Sequence, residues 1–356
     1  MNLKIGILTF TYGDNYGQRL QNLAMQELLR DYFESVVTIP QVPYVVPLRR
    51  RIKRQIFSIL QGEYYNQKLR NSAFERFDTE YIDYFNVSIS ERTMNTFPQN
   101  EFDYFVAGSD QIWSPYSPDV NSTMFLSFAD KDKRIALSPS ISSEGIPEEQ
   151  KEKYKRYFEG FSFLSVREDK GAEIIKDLSG RDAAVLIDPT LMHGTSFWDK
   201  YIKEPKSMMN EKYALCYFLG TPQRAEKIDE ICKKYNLNRI DILTEKEYKI
   251  LGPQEFLYLI RNASVVITDS YHGCIFSCVF HVPFIMCERE GTNLNMNSRF
   301  TTLFKKLGIS NRRLNEIEIE NALCLNFASI DDRVEYERGL VRKYLDMAFN
   351  RARQEK

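Results

Sequence analysis

Short apolar runs alternate with amphipathic stretches along almost the whole chain, and this alternation constrains the fold more than any other feature. Leu3–Phe10, Val36–Ile39, Tyr104–Ala107, Ile135–Ser138, Phe163–Val166 and Ala184–Ile187 read as strands. Helical patterns lie between them, at Arg19–Phe33 (Leu20, Leu23, Ala24 and Leu28 on one face) and near 147–158 and 169–178. A second series begins after about residue 208, with strands at Tyr213–Leu219, Arg239–Leu243, Val265–Thr268 and Pro283–Cys287. Its helices are Gln223–Tyr235, Pro253–Asn262 and Cys274–Phe280. Two βαβ series in succession predict an α/β protein with two Rossmann-like parallel-sheet domains facing a cleft. The expected divisions are 1–195, 208–330 and a charged helix at 331–356 that crosses back to the first domain. At 356 residues the chain exceeds one ordinary core, which agrees with two domains.

Charge narrows the function. The 48 Lys+Arg and 49 Asp+Glu nearly cancel, which excludes a general nucleic-acid binder. Six cysteines form no CxxC pair, so the expectation is reduced, buried thiols and no metal site. The start, KIGILTF after Met1-Asn2-Leu3, is too short for a signal peptide, and no run of about 18 apolar residues exists. A cytoplasmic location is expected. Segment 47–62 contains Arg49-Arg50-Arg51-Ile52-Lys53-Arg54, with Ile52, Ile56, Ile59 and Leu60 on one helical face. Such a helix either lies peripherally on an anionic membrane surface or packs on its own domain with a solvated basic face.

Chemistry-bearing residues cluster where strands end. Thr268-Asp269-Ser270-Tyr271-His272-Gly273 joins an apolar strand to an apolar helix, whose free N–H groups and dipole favour an anion. His272, one of three histidines, can titrate near neutral pH there; a hydrogen-bonded core histidine is the plainer reading. Gly13, Asp14, Asn15, Tyr16, Gly17 and Gln18 form a turn before the first helix, too unlike GxGxxG or a P-loop for a nucleotide assignment. Ser109, Asp110, Gln111 and Trp113 end another strand and could hydrogen-bond and stack on a sugar, or simply cap and pack. Arg167 at a strand end suits a two-point anion clamp or a surface pair with Glu168; Arg299 and Arg312 beside FTTLFKKLG are either clamps or surface charges. The polar loop 288–298 is a candidate cover for the cleft.

Taken together, GDNYGQRLQNLAMQELL (13–29), FDYFVAGSDQIW (102–113), LSVREDKGAEII (164–175), VLIDPTLM (185–192), GPQEFLYLIRNASVVITDSYHGCIFSCVFHVPF (252–284) and RFTTLFKKLGISNR (299–312) resemble the polysaccharide pyruvyl transferase family. The resemblance implies a GT-B-like fold and transfer of a pyruvyl group from phosphoenolpyruvate, a co-substrate rather than a cofactor, onto two sugar hydroxyls as a cyclic ketal. It places Arg167 and His272 at donor-site positions as catalytic candidates. Ser270, Gly273 and Arg299 join them in donor binding, and Asn15, Tyr16, Gly17, Gln18, Ser109, Asp110, Gln111 and Trp113 form the acceptor side. The acceptor implied is a surface polysaccharide or its lipid-linked precursor, reached at the inner face of the membrane. Some well-known members of that family carry Arg-Leu-His where this chain has Ser270-Tyr271-His272, so one cation is missing there and Arg299 is its candidate replacement. The alternatives are a nucleotide-sugar-dependent GT-B-type glycosyltransferase and a non-catalytic glycan-binding protein of polysaccharide biosynthesis.

Overall fold

The computed structural model describes residues 3–42, 62–206, 208, 211–222, 224–289 and 298–354. The basic segment 47–62 (Gly62 apart) and most of loop 288–298 lie outside the described residues.

The first series builds β1 (Lys4–Leu8), α1 (Tyr16–Leu29), β2 (Ser35–Thr38), α2 (Tyr64–Tyr81), β3 (Tyr104–Ala107), β4 (Arg134–Ala136), α3 (Glu148–Phe158), β5 (Ser165–Val166), α4 (Asp169–Ser179) and β6 (Ala184–Val185). The order β2-β1-β3-β4 is parallel throughout, with Ile5 opposite both Val36 and Tyr104. The parallel pair β5-β6 continues the sheet through a bridge between Ile135 and Phe163. The second series builds β7 (Tyr213–Tyr217), α5 (Ala225–Tyr235), β8 (Asn238–Asp241), α6 (Pro253–Asn262), β9 (Val265–Thr268), α7 (Tyr271–Val279), β10 (Phe284–Met286) and α8 (Ser298–Leu307). Its parallel order is β10-β9-β7-β8. Strands β3, β7, β9 and β10 are buried at every position, as expected where helices cover both faces of a parallel sheet.

Three elements differ from the sequence reading. Helix α2 was not expected, because only Arg70, Ala73, Phe74 and Phe77 of its 18 residues are buried, too narrow a stripe to show as a period. Helix α7 starts at Tyr271 and not Cys274, because Ser270 caps it, its hydroxyl accepting the Gly273 N–H at 3.3 Å. Asn15 likewise starts α1 at Tyr16.

One apolar cluster joins the two sheets. Tyr16 stacks on Phe256 with ring centroids 4.4 Å apart and packs on Phe74 and Tyr217. The last helix, α9 (Phe327–Gln354), reaches from the second unit to the first. Lys306 pairs with Glu337 at 2.7 Å, while Tyr344 donates to the Ala136 carbonyl and Phe349 packs edge-on against Phe33. The carboxyl ends of both sheets therefore meet in a fixed relation.

Candidate functional site

Strand β5 delivers Arg167, and β6 leads three residues later to Asp188, both essentially without solvent exposure. Arg167 Nη1 donates to Asp188 Oδ2 at 2.7 Å. The same oxygen accepts the Ser109 hydroxyl at 2.9 Å, and Oδ1 accepts the N–H and hydroxyl of Thr190 at 3.0 and 2.6 Å. Burial alone would push this carboxyl up; His272 and Arg167, helped by Thr190, outweigh it and hold Asp188 well below the usual carboxylate range. The surface-pair reading of Arg167 with Glu168 is thereby corrected. Glu168 is buried too, and its Oε1 instead accepts the Ser140 hydroxyl and the Ile141 and Ser142 N–H groups.

From the second unit, Ser270 and the first turn of α7 bring Tyr271 and His272 to this cluster. His272 Nε2 lies 3.5 Å from Asp188 Oδ2, an ionic approach without hydrogen-bond alignment. The other side of the imidazole meets α1 at Gly17, where an added Cβ would stand 2.0 Å from Nδ1. Glycine is required there by close approach. The Tyr271 ring faces two cations, with the guanidinium carbons of Arg167 at 4.3 Å and Arg299 at 5.7 Å from its centroid. Arg299 is 3% exposed. Burial, then repulsion from Arg167 and Arg289, lowers its pKa to about 10. The nitrogens Arg167 Nε and Nη2, Arg299 Nε and His272 Nε2 are buried without a hydrogen-bond partner, as is Glu168 Oε2. Buried donors are ordinarily satisfied, so these nitrogens have room for an acceptor that the described residues do not supply.

The remaining expected residues divide. Asn15, Gln18, Asp110 and Gln111 line a cleft of about 250 Å³ with Phe10, Tyr12, Ser114, Ser117 and Asp119. Asp110 Oδ1 is 3.9 Å from Arg167 Nη2, so the cleft adjoins the arginine cluster. Ser109 turns inward to Asp188. Trp113 corrects the expectation of a sugar platform: it is fully buried, stacks on Phe125 at 5.3 Å and donates its indole N–H to the Met124 carbonyl. Tyr16 is core as well; its hydroxyl donates to the Leu251 carbonyl and accepts from Arg70. Ser270 is occupied as a cap, and Gly273 lets α7 pack on Thr268, where an added Cβ would come within 2.9 Å. Arg312 is spent on backbone carbonyls.

Asp188 was missed in the sequence, although Ile187-Asp188-Pro189-Thr190 follows a strand as Asp269 does; nothing local shows that it faces Arg167 and His272. The other histidines are engaged elsewhere, His193 with the Ala24 carbonyl and His281 with Asp331. Burial pushes the thiols of Cys216, Cys232, Cys274, Cys278 and Cys287 up, so none is a ready thiolate. Among the described residues no three His, Cys, Asp or Glu side chains are grouped to hold a metal ion, and no helix is long and apolar enough to cross a membrane.

This architecture is shared with known structures. A candidate UDP-N-acetylglucosamine 2-epimerase from Listeria monocytogenes aligns with TM-score 0.50 and 12% identity, over 99% of this chain and 98% of that one. The UDP-N-acetylglucosamine 2-epimerase of Rickettsia bellii aligns with TM-score 0.50 and 9% identity, over 98% and 96%. The ADP-heptose LPS heptosyltransferase II of E. coli aligns more loosely, at TM-score 0.39 and 10% identity over 94% and 98%. At such identities the likeness concerns the fold, which is GT-B-like. No curated protein matches the chain. The family model for polysaccharide pyruvyl transferase matches residues 15–291, a span holding Gly17, Asp110, Arg167, Asp188 and His272. The chain belongs to the polysaccharide pyruvyl transferase family.

Proposed function

We propose that the protein moves the pyruvyl unit of phosphoenolpyruvate onto two hydroxyls of one sugar, in a surface polysaccharide or its lipid-linked precursor, closing a cyclic ketal. The observation that carries this reading is the pair of buried guanidiniums facing one tyrosine, Arg167 and Arg299, with nitrogens left unpartnered. Arg299 has no carboxylate within ion-pair distance among the described residues; Asp110 and Glu168 favour its charged form only from farther off. Phosphoenolpyruvate carries a phosphate and a carboxylate and would take both forks. Arg299 thus supplies the cation that Ser270 does not. His272 is the proton donor to the enol carbon, held in place between Gly17 and Asp188. Protonation makes an oxocarbenium-like centre, which a sugar hydroxyl attacks; phosphate leaves and a second hydroxyl closes the ring. The basic segment 47–62 would keep a lipid-linked acceptor near an anionic membrane face, and replacing Arg49, Arg50 and Arg51 with Glu should reduce binding to anionic liposomes.

Calorimetric titration with phosphoenolpyruvate tests the reading. Saturable binding, weakened in Arg299→Ala and Arg167→Ala, is expected. Tight binding of a nucleoside diphosphate with none of phosphoenolpyruvate would move the protein to the glycosyltransferases.

A further inference from the structure

The cleft of about 250 Å³ opens at the carboxyl end of the first sheet between β1 and β3, where the strand order reverses and ligands of open α/β sheets lie. Its lining contrasts with the arginine cluster beside it. Asp110 and Asp119 are its charged groups; amides, hydroxyls and the rings of Phe10 and Tyr12 make up the rest, and no lysine or arginine is among them. Burial and the neighbouring Asp119 carboxylate push the Tyr12 phenol far up, so it stays a neutral hydrogen-bond donor. An acidic sugar placed here would meet two carboxylates and no cation. An uncharged sugar would find acceptors for its hydroxyls and rings for its faces.

Asp110 connects the two compartments. Its backbone is held in the left-handed region, φ +67°, and its carbonyl accepts the Ser140 N–H at 2.7 Å. Its carboxylate accepts no hydrogen bond from the described residues, and Oδ1 stops 3.9 Å short of Arg167 Nη2. A buried carboxylate fixed by its backbone, with no hydrogen-bond donor on it among the described residues and only the 3.9 Å ion pair to Arg167 beside it, is placed to receive a proton.

We propose that this cleft takes an uncharged, hydroxyl-rich sugar and that Asp110 is the base for its attacking hydroxyl; the identity of the donor rests on the pyruvyl-transfer reading above. The first hydroxyl oxygen bonds to C2 of phosphoenolpyruvate as its proton passes to Asp110, and C3 takes the proton of His272 to become a methyl group. The C2–O bond to phosphorus-bound oxygen then breaks, its electron pair leaving with phosphate, which carries off the proton from Asp110. The second hydroxyl closes on C2 and returns a proton to His272. Two hydroxyl protons are lost by the sugar; one is gained by the methyl group and one by phosphate.

The test uses the whole chain and a panel of neutral methyl glycosides (gluco, galacto, manno and N-acetylgluco) beside the corresponding uronides. Saturation-transfer NMR should show neutral members bound at least about tenfold more tightly than uronides. Asp110→Asn should keep phosphoenolpyruvate affinity within about threefold of wild type. Its phosphate release with the best neutral glycoside should fall by about 10²–10⁴-fold, with partial recovery in Asp110→Glu. Preference for uronides, or a wild type that binds no neutral member, overturns the proposal. So does undiminished phosphate release in Asp110→Asn, or a loss of donor binding as deep as that in Arg167→Ala, which would make Asp110 a prop for Arg167. A wild type that binds neutral glycosides but not phosphoenolpyruvate would sink the donor assignment and leave the charge selectivity of the cleft standing.

Discussion

Arg299 lies in the first turn of α8 and Arg312 in the chain that follows it, each 3% exposed and each with its pKa lowered to about 10. Their surroundings differ. Arg312 donates from Nε to the Phe284 carbonyl at 2.6 Å, from Nη1 to Asn321 and Cys324, both at 3.0 Å, and from Nη2 to Ala322 at 2.8 Å. It ties β10 to the chain entering α9. Arg299 leaves Nε unpartnered, faces Tyr271, and is depressed by burial and then by the like charges of Arg167 and Arg289. Burial and a shifted pKa therefore do not by themselves mark a site. What marks it is a buried donor that the protein does not satisfy, held where the protein's own charges repel.

The contrast predicts opposite phenotypes. Arg312→Ala strands four carbonyls, those of Phe284 and Ala322 in buried contacts, and should cost about 3–5 kcal/mol of stability, with Arg312→Lys intermediate because an ammonium cannot reproduce the fork. Urea unfolding measures it. An Arg312→Ala protein of wild-type stability that had lost donor binding would reverse the assignment of the two arginines.

Next in size is Gly17→Ala. The new Cβ would overlap the His272 ring, 2.0 Å from Nδ1 and 2.5 Å from Cγ, so the imidazole must move. On the proposed function, a displacement of about 1 Å at His272, the proposed proton donor, is expected to lower kcat about 10²-fold while phosphoenolpyruvate still binds, since both arginines remain. Folding should suffer as well, by about 1–3 kcal/mol, because the overlap falls on a buried ring and outweighs the helix preference of alanine. A Gly17→Ala enzyme with unchanged kcat would remove His272 from the chemistry.

Much of this was legible in the sequence. The strand and helix periods carried both parallel sheets, because buried parallel strands are continuous apolar runs bounded by polar turns. The ends of those strands pointed to Arg167, Asp110 and His272. What the sequence does not carry is which neighbour a strand-end side chain meets across the cleft. Asp188 and Asp269 look alike locally. Asp269 binds the Leu219 and Gly220 N–H groups and Arg289, all within its own unit, whereas Asp188 meets His272 from the other unit. Trp113 misled for a related reason. Ser-Asp-Gln-Ile-Trp suits a sugar site by residue type, but the tryptophan follows a buried Ile112 into the aromatic cluster of Phe125, Phe158 and Phe161.

Arg299→Ala comes third. Losing one charge-assisted contact of about 1.5–3 kcal/mol should weaken phosphoenolpyruvate binding about ten- to a hundredfold. Stability should hold, because among the described residues no carboxylate forms an ion pair with Arg299. Arg167→Ala should weaken the donor similarly but also destabilise, since it leaves Asp188 buried without its cation. Equal destabilisation by the two variants would mean that Arg299 is as structural as Arg167.

The smallest effect is read from pH, and donor binding rather than stability separates the two arginines there. A cation whose folded pKa lies below its ordinary value opposes folding while both states are charged. That opposition fades as pH rises above about 10, where the folded state gives up its proton first. Both arginines share this direction, so the pH dependence of stability alone cannot tell them apart. Donor binding can. A dianion beside Arg299 favours its charged form, so binding in the alkaline range takes up a proton there, and affinity should be level through neutral pH and decline as pH passes about 10. In Arg312→Lys the decline should remain, because Arg312 faces carbonyls and meets no ligand. In Arg299→Ala, already weakened, the decline should be absent. Its persistence there would assign the titration to another group and would leave Arg299 a buried charge with no anion to receive.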